Sequence, residues 1–283
     1  PKLKFNAPTV KMPSNFNLIN DVSIFSENCS LYSAWTIKGV KVDSSPEWLS
    51  KRLESVGMRS INNIVDITNF VLLETGQPLH AFDASKIEGK ALHIRQANLD
   101  EKITTLDGTE RVLDPEMMVI ADTQKALVIA GVMGSVDAEV YSGTTDIIIE
   151  AAWFKPGNIR NTARRLGLHT DSSQRFARDV DPAGVEWGAR RAIDLILEIA
   201  GGECVPEVIS IGSPPRGERI VKIEKSFVEA RCGFEVNSQE LVQSWERLDF
   251  KVTGTDPWKV TIPSFRSEVD RPIDLVEEFI RIH

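Results

Sequence analysis

A chain of 283 residues with 42% hydrophobic and 26% charged side chains carries enough apolar material for about two domains of ordinary size. No run approaches the ~18 consecutive apolar residues of a membrane span, and a net charge of −8 argues against a surface coated in basic groups for wrapping nucleic acid. Cys29, Cys204 and Cys232 lie far apart with no CxxC pair, which points to reduced thiols in a cytoplasmic protein rather than disulfides or a cysteine zinc site.

Residues 1–28 are polar with scattered prolines and are expected to form a linker or arm. The start lacks Met and a signal-peptide core, and "EEFIRIH" stops inside a helical pattern, so the expectation is a piece of a longer protein. "LYSAWTIKGVKV" alternates as a strand. "SPEWLSKRLESVG" predicts a helix with Trp48, Leu49, Leu53 and Val56 on one face and Gly57 as its stop. "INNIVDITNFVLLETG" predicts a second helix ending at Gly76. Strands follow between 91 and 132, with a hairpin turn at Asp107-Gly108 in "ITTLDGTERVL" and a strand pair in "MMVIADTQKALVIAGVMG". "DIIIEAAWF" reads as a short, strongly apolar strand with one carboxylate, Glu150. Cap logic starts a long helix at Asp181-Pro182 and closes it at Gly201-Gly202. "IGSPPRGERI" breaks both periodicities and is the best boundary. Beyond it, "NSQELVQSWERLDF" and "DRPIDLVEEFIRIH" predict helices around the strand "WKVTIPSF". The order is α+β without regular βαβ alternation: a mixed-sheet domain over 29–212, then a small α+β domain over 213–283, cut short.

His80 follows a helix stop in "ETGQPLHAFD", where a loop can present a functional group, although a lone histidine there is more often a packed one. Glu150 directly follows three isoleucines. Burial would oblige it to find a partner, and a strand-end position would expose it to water; both readings stand. "VIAGVMGS" lacks the spacing of a dinucleotide loop, which leaves a tight turn or a close backbone approach to a ligand, the turn being the simpler. "RRLGLHTDSSQRFARDVDP" gathers His169, hydroxyls and arginines, yet has no nucleophile elbow for a Ser-His-Asp triad and no companion ligands for zinc. Arginines 160, 164, 165, 175 and 178 read as a solvated helix face or a local basic patch. Glu268, Asp274, Glu277 and Glu278 gather at a helix start, where acids complement the helix dipole and where oxygen ligands also suit Mg²⁺.

The strings "INNIVDITNFVLLETGQPLHAFD", "LDGT", "IIIEAAWF", "ARRLGLHTDSSQRFARDVDP" and "DLVEEFIRI" together resemble the beta subunit of bacterial phenylalanyl-tRNA synthetase, from about residue 29 onward. The resemblance implies a central editing domain followed by most of a small, winged-helix-like domain. It implies a proofreading hydrolase that cleaves Tyr mistakenly esterified to tRNA(Phe), by a positioned water and without a covalent nucleophile or a cofactor. Glu150 falls on the residue that reads the para-hydroxyl of Tyr, and Gly134, with Gly131 close by, on the glycine that leaves room for the ring. His80, Thr68, Asn69 and Thr170 fall on polar positions around the amine, ester and water, with Ser172 on a further pocket position. The implied partners are an alpha subunit, which carries aminoacylation with ATP, in a heterotetramer of two alpha and two beta chains, and the acceptor end of tRNA(Phe). Asp274, Glu277 and Glu278 match acids assigned to a Mg²⁺ shared with the alpha subunit, with Glu268 where that pattern has Asp.

Three positions depart from the family: Ser172 for the usual Ala, and Ala177 and Asp179 where "RFERGVDP" is common. They bring editing efficiency into question and hint at a changed backbone at 179. The competing expectation is a non-catalytic scaffold bridging the alpha subunit and tRNA with a decayed pocket; a free-standing editing protein is a distant third.

Overall fold

The structure, a computed structural model, describes residues 18–205 and 208–283. The chain divides into two units between Pro214 and Pro215. In the first, the elements run β1 (Asp21–Ile24), β2 (Cys29–Lys38), α1 (Glu47–Ser55), α2 (Asn63–Thr75), β3 (Leu79–Asp83) and β4 (Ala91–Gln96). The short hairpin of β5 (Lys102–Thr104) and β6 (Glu110–Val112) precedes β7 (Met118–Ala121), β8 (Ala126–Ile129) and β9 (Met133–Gly134). Then come β10 (Asp146–Phe154), α3 (Pro156–Leu166), α4 (Asp171–Phe176), α5 (Gly184–Ile199), β11 (Glu203–Cys204) and β12 (Ile209–Gly212).

One sheet has the order β1-β4-β7-β8-β9 and is mixed, because β1 pairs parallel with β4 while the other neighbours are antiparallel. The other has the order β11-β2-β10-β3, with β12 also on β2, and is antiparallel. The α+β class expected from element order is what folds. Of the arm expected over 1–28, residues 1–17 lie outside the described residues, and Asp21–Ile24 is a strand. Its pairing partner lies far along the chain, so no local pattern announces it.

β10 is the centre of its sheet, and every residue from Ile147 to Phe154 is buried. A strand covered on both faces reads as a continuous apolar run, which is why "IIIEAAWF" shows no clean alternation. Trp35, opposite Ile149, carries Arg190 of α5 over its ring at 5.4 Å, so the odd-numbered face of β10 lies under that helix. Alternation then sends Glu150, Ala152 and Phe154 to the opposite face. There Phe154 packs on Phe176 of α4, ring centroids 4.9 Å apart.

Helix α1 is narrower than its pattern suggests. Leu49 and Leu53 are fully buried, whereas Val56 is exposed and Trp48 half exposed, with its edge on Phe70. In nine residues only the i, i+4 pair faces α2 squarely. Asn62 caps α2 through Val65 N at 2.9 Å, and Gly76 ends it in the left-handed conformation. The long helix starts later than cap logic places it. The Asp181 carboxylate accepts from Ala183 N at 3.0 Å and its carbonyl from Gly184 N at 2.9 Å, making a turn before α5 rather than its cap.

In the second unit β13 (Arg219–Ile223), α6 (Lys225–Cys232), α7 (Ser238–Arg247), β14 (Lys251–Thr253), β15 (Trp258–Ile262) and α8 (Pro272–Ile282) follow in order. The antiparallel sheet β13-β15-β14 and the helices enclose Trp245, Trp258, Phe250 and Phe279. Among the described residues, the three cysteines are free and no helix is long and apolar enough to cross a membrane.

Candidate functional site

A cavity of about 470 Å³ opens in the first unit, within the size range of small-molecule sites. Its walls come from the loop after α1, from α2, from the start of β3, from the turn between β8 and β9, from β10 and from the start of α4. The cavity is built around the register of one sheet. Glu150 on β10 lies directly opposite His80 on β3 and Ala34 on β2, so carboxyl and imidazole share a face.

Glu150 is 5% exposed, and its Oε2 has no hydrogen-bond partner among the described residues. Burial pushes its carboxyl up to about 8, because water no longer stabilises the charged form. His80 is its counterpart. Its Nε2 is also unpartnered, its ring stands edge-on to Phe82 at 4.6 Å, and burial lowers the imidazole to about 4. At neutral pH the site therefore presents a largely protonated carboxyl beside a neutral imidazole. A buried polar group without a partner costs roughly 1–3 kcal/mol, a debt that a ligand bringing a complementary group would relieve.

The two glycines differ. A Cβ on Gly134 would stand 2.6 Å from His80 Cε1, so this glycine makes room for the imidazole as well as for any ligand. Gly131 has φ +68°, and a Cβ there would meet Ile159 and Phe176 at 3.0 Å; it serves the turn and its packing. The Thr170 hydroxyl donates to Val132 O at 2.8 Å and accepts from Ser173 N at 3.0 Å, capping α4 and pinning it to that turn. The Ser172 hydroxyl donates to Gly131 O at 3.2 Å. The stretch from Arg164 to Pro182 thus takes in the end of α3 and the whole of α4, whose start is held against the β8–β9 turn.

Of the expected site residues, His80, Asn69, Thr170, Glu150, Gly131, Gly134 and Ser172 all line the cavity. Thr68 does not. It is buried on α2 with its hydroxyl donating to Val65 O at 2.7 Å, a helix-interior bond that turns it away. His169 is exposed and outside. The residues missed are Met58, Arg59 and Ile61 on the loop before α2, and Leu106 from the β5–β6 hairpin. Arg59 is exposed at the rim and, among the described residues, has no ion-pair partner. The signal available was its place just before a capped helix start.

The arginines between 160 and 178 divide. Arg165 pairs with Asp114 and Glu116, and Arg175 with Asp171 at 2.7 Å. Arg160 donates to Ala177 O and Arg178 to Gln174 O, so neither of these bonds offsets the charge with a carboxylate. Asp179 adopts φ +74°, the conformation that favours glycine, and its carboxylate accepts from Trp153 Nε1 at 3.0 Å.

In the second unit the four acids are not arranged as a metal site. Asp274 is bound by Arg271, which holds its carboxyl down at about 2, together with the amides of Asp270 and Arg271. Glu268 and Glu278 share Arg266, Glu278 also meets Arg281, and Glu277 is exposed. Among the described residues no cluster of three or more ligating side chains could hold an ion. Arginines bind the carboxylates of Glu268, Asp274 and Glu278.

The chain belongs to the B3/4 domain family, whose model matches residues 28–201, and the tRNA synthetase B5 domain matches residues 221–283. It is 45% identical over 255 residues to the phenylalanine–tRNA ligase beta subunit of Moorella thermoacetica, covering 90% of this chain and 32% of that one. The Rhodopirellula baltica beta subunit is 41% identical over 286 residues, covering 99% and 42%. An N-terminal fragment of the phenylalanyl-tRNA synthetase beta subunit from Pyrococcus horikoshii aligns over 99% of this chain and 78% of its own, at 14% identity and a TM-score of 0.46. The chain thus spans 32% and 42% of the length of these two bacterial relatives.

Proposed function

We propose that the cavity is a proofreading site that hydrolyses Tyr esterified in error to tRNA(Phe). The observation that carries the reading is the buried, unpartnered carboxyl of Glu150 on the cavity wall, opposite His80. A tyrosine ring entering the cavity brings a phenolic hydroxyl to a group that has no other partner. Phenylalanine brings none and leaves the carboxyl unpaired. A site built to hydrogen-bond a hydroxyl can reject the analogue lacking it by about 10⁴–10⁵, the favourable direction for discrimination.

The same cavity supplies polar groups for the ester. Neutral His80, Asn69 and the Thr170 hydroxyl surround the space in which the ester carbonyl and attacking water would lie, and positioning alone lowers the barrier substantially. Arg59 at the rim offers a cation to the phosphate that follows the esterified ribose. With no activated nucleophile at hand, the reaction is direct attack of water. The substrate reading also entails the partners: tRNA(Phe) presents its acceptor end, and an alpha subunit performs aminoacylation with ATP and Mg²⁺ in a cytoplasmic heterotetramer.

The deciding experiment is deacylation of Tyr-tRNA(Phe) by the assembled synthetase. Glu150→Ala should lose most of the discrimination between Tyr and Phe esters, and His80→Ala should lower the rate. Equal, slow hydrolysis by wild type and Glu150→Ala would leave the scaffold reading in its place.

A further inference from the structure

The carboxylate of Asp66 sits at the first turn of α2, fully buried and, among the described residues, without an ion-pair partner. Its ligands are three hydrogen-bond donors, all from the segment that wraps α1. The Ser45 hydroxyl donates to Oδ2 at 2.6 Å, the Ser60 hydroxyl donates to the same oxygen, and the Ile61 amide donates to Oδ1 at 2.8 Å. Ser45 precedes α1; Ser60 and Ile61 follow it. One carboxylate therefore closes segment 45–61 upon itself and ties it to α2.

That segment ends in the cavity rim. Gly57, Met58, Arg59 and Ile61 line the opening, and Asn69, three residues beyond Asp66 on the same helix, lines the wall below. Ile61 is 61% exposed although it lines the cavity, so packing does little to fix it. Arg59 is held by no ion pair among the described residues. The start of the rim is held by α1, where the Met58 amide donates to Leu53 O at 3.0 Å and its side chain packs on the core, while the backbone at 60–61 is anchored where Ser60 and Ile61 meet Asp66.

We propose that Asp66 is a positioning residue that holds the 57–61 rim in register with the cavity wall, so that the rim grips the nucleotide end of the aminoacyl ester. This rests on the editing reading above. Asp66 touches no substrate; it acts through Ser60 and Ile61. Ser45 and Ser60 give an internal control, because each loses one hydroxyl donor to the same oxygen, but only Ser60 belongs to the rim.

The test uses the full-length subunit assembled with its alpha partner, with Tyr-tRNA(Phe) as substrate. Ser60→Ala should raise KM for deacylation roughly tenfold, the scale of loss expected from a displaced positioning element, with kcat changed less than about twofold. Amide exchange at residues 58–61 should accelerate in parallel. Ser60→Thr, which keeps the hydroxyl, should restore both. Ser45→Ala should leave KM and rim exchange near wild type at a similar loss of Tm. An equal KM change in both alanine variants, or no change in either, overturns the proposal. Should the wild type fail to deacylate at all, the editing reading falls separately. Rim exchange then decides: faster in Ser60→Ala alone supports the clamp, and unaltered exchange refutes it.

Discussion

Glu150 and His80 titrate in opposite senses on folding, and together they shape stability against pH. Glu150 moves from an ordinary 4.5 up to about 8, so between those values the folded chain binds a proton that the unfolded chain has lost. Its contribution is complete below 4.5 and falls as pH rises, by about 1.4 kcal/mol per pH unit. His80 moves from 6.5 down to about 4, so between those values the unfolded chain binds the extra proton. Its contribution is complete above 6.5 and falls as pH drops, with the same slope. From 4.5 to 6.5 the two slopes cancel; from 6.5 to 8 Glu150 acts alone and removes about 2 kcal/mol. Urea unfolding of wild type and Glu150→Gln at pH 6.5 and 8 isolates the effect, since every other titrating group is common to both. The wild type should lose about 2 kcal/mol relative to the glutamine variant across that interval. A difference that stays constant within about 0.5 kcal/mol would mean that Glu150 is solvated and ionised throughout, and the account of the cavity wall would go with it. The His80→Ala variant supplies the complementary arm: its stability should decline from pH 4.5 to 6.5, where the wild type is level.

Gly134→Ala would drive a methyl to within 2.6 Å of the His80 ring, forcing the imidazole aside. The expected cost is about 1–3 kcal/mol in urea unfolding, with recovery when His80→Ala is added. At Asp179, replacement by Ala keeps the unfavourable left-handed backbone and loses the bond to Trp153, whereas Gly relieves the backbone. Asp179→Ala should therefore be less stable than Asp179→Gly by about 1 kcal/mol, and an inverted order in denaturant melts would show that backbone strain is not the controlling factor.

The parts of the fold legible in the sequence are those whose signals are local. α2 announces itself by the Asn62 cap and Gly76 stop, and β10 by an unbroken apolar run. Glu150 was ambiguous because "IIIE" alone suits a strand end. Only the buried continuation through Phe154, flanked by β2 and β3, places the carboxylate mid-strand and inside. Helices α3 and α4 show in the sequence only as a solvated arginine face without bounds, although Pro156 at the start and Gly167 at the end of α3 are ordinary helix punctuation. β13 and β14 are short and interleaved with basic residues, too weak a period to read. The rim loop is different in kind. Nothing local dictates where Arg59 and Ile61 go, because the anchor is a carboxylate on another element.

The departures at Ser172, Ala177 and Asp179 lie in or just beyond α4, and only Ser172 lines the cavity. Ser172 donates to Gly131 O, the Ala177 carbonyl receives Arg160, and Asp179 receives Trp153. None of these bonds involves Glu150 or His80, which are set opposite each other by the register of β10 and β3, although Trp153 is on β10 as well. If the pocket had decayed, relaxation of the costliest feature would be the first change, since an unpartnered buried carboxyl destabilises the fold while contributing nothing to a scaffold. A glutamine or an aliphatic side chain would serve a scaffold better at position 150. That the carboxyl stands at the centre of β10 with an empty hydrogen-bonding capacity is the physical argument for a ligand that supplies a hydroxyl there.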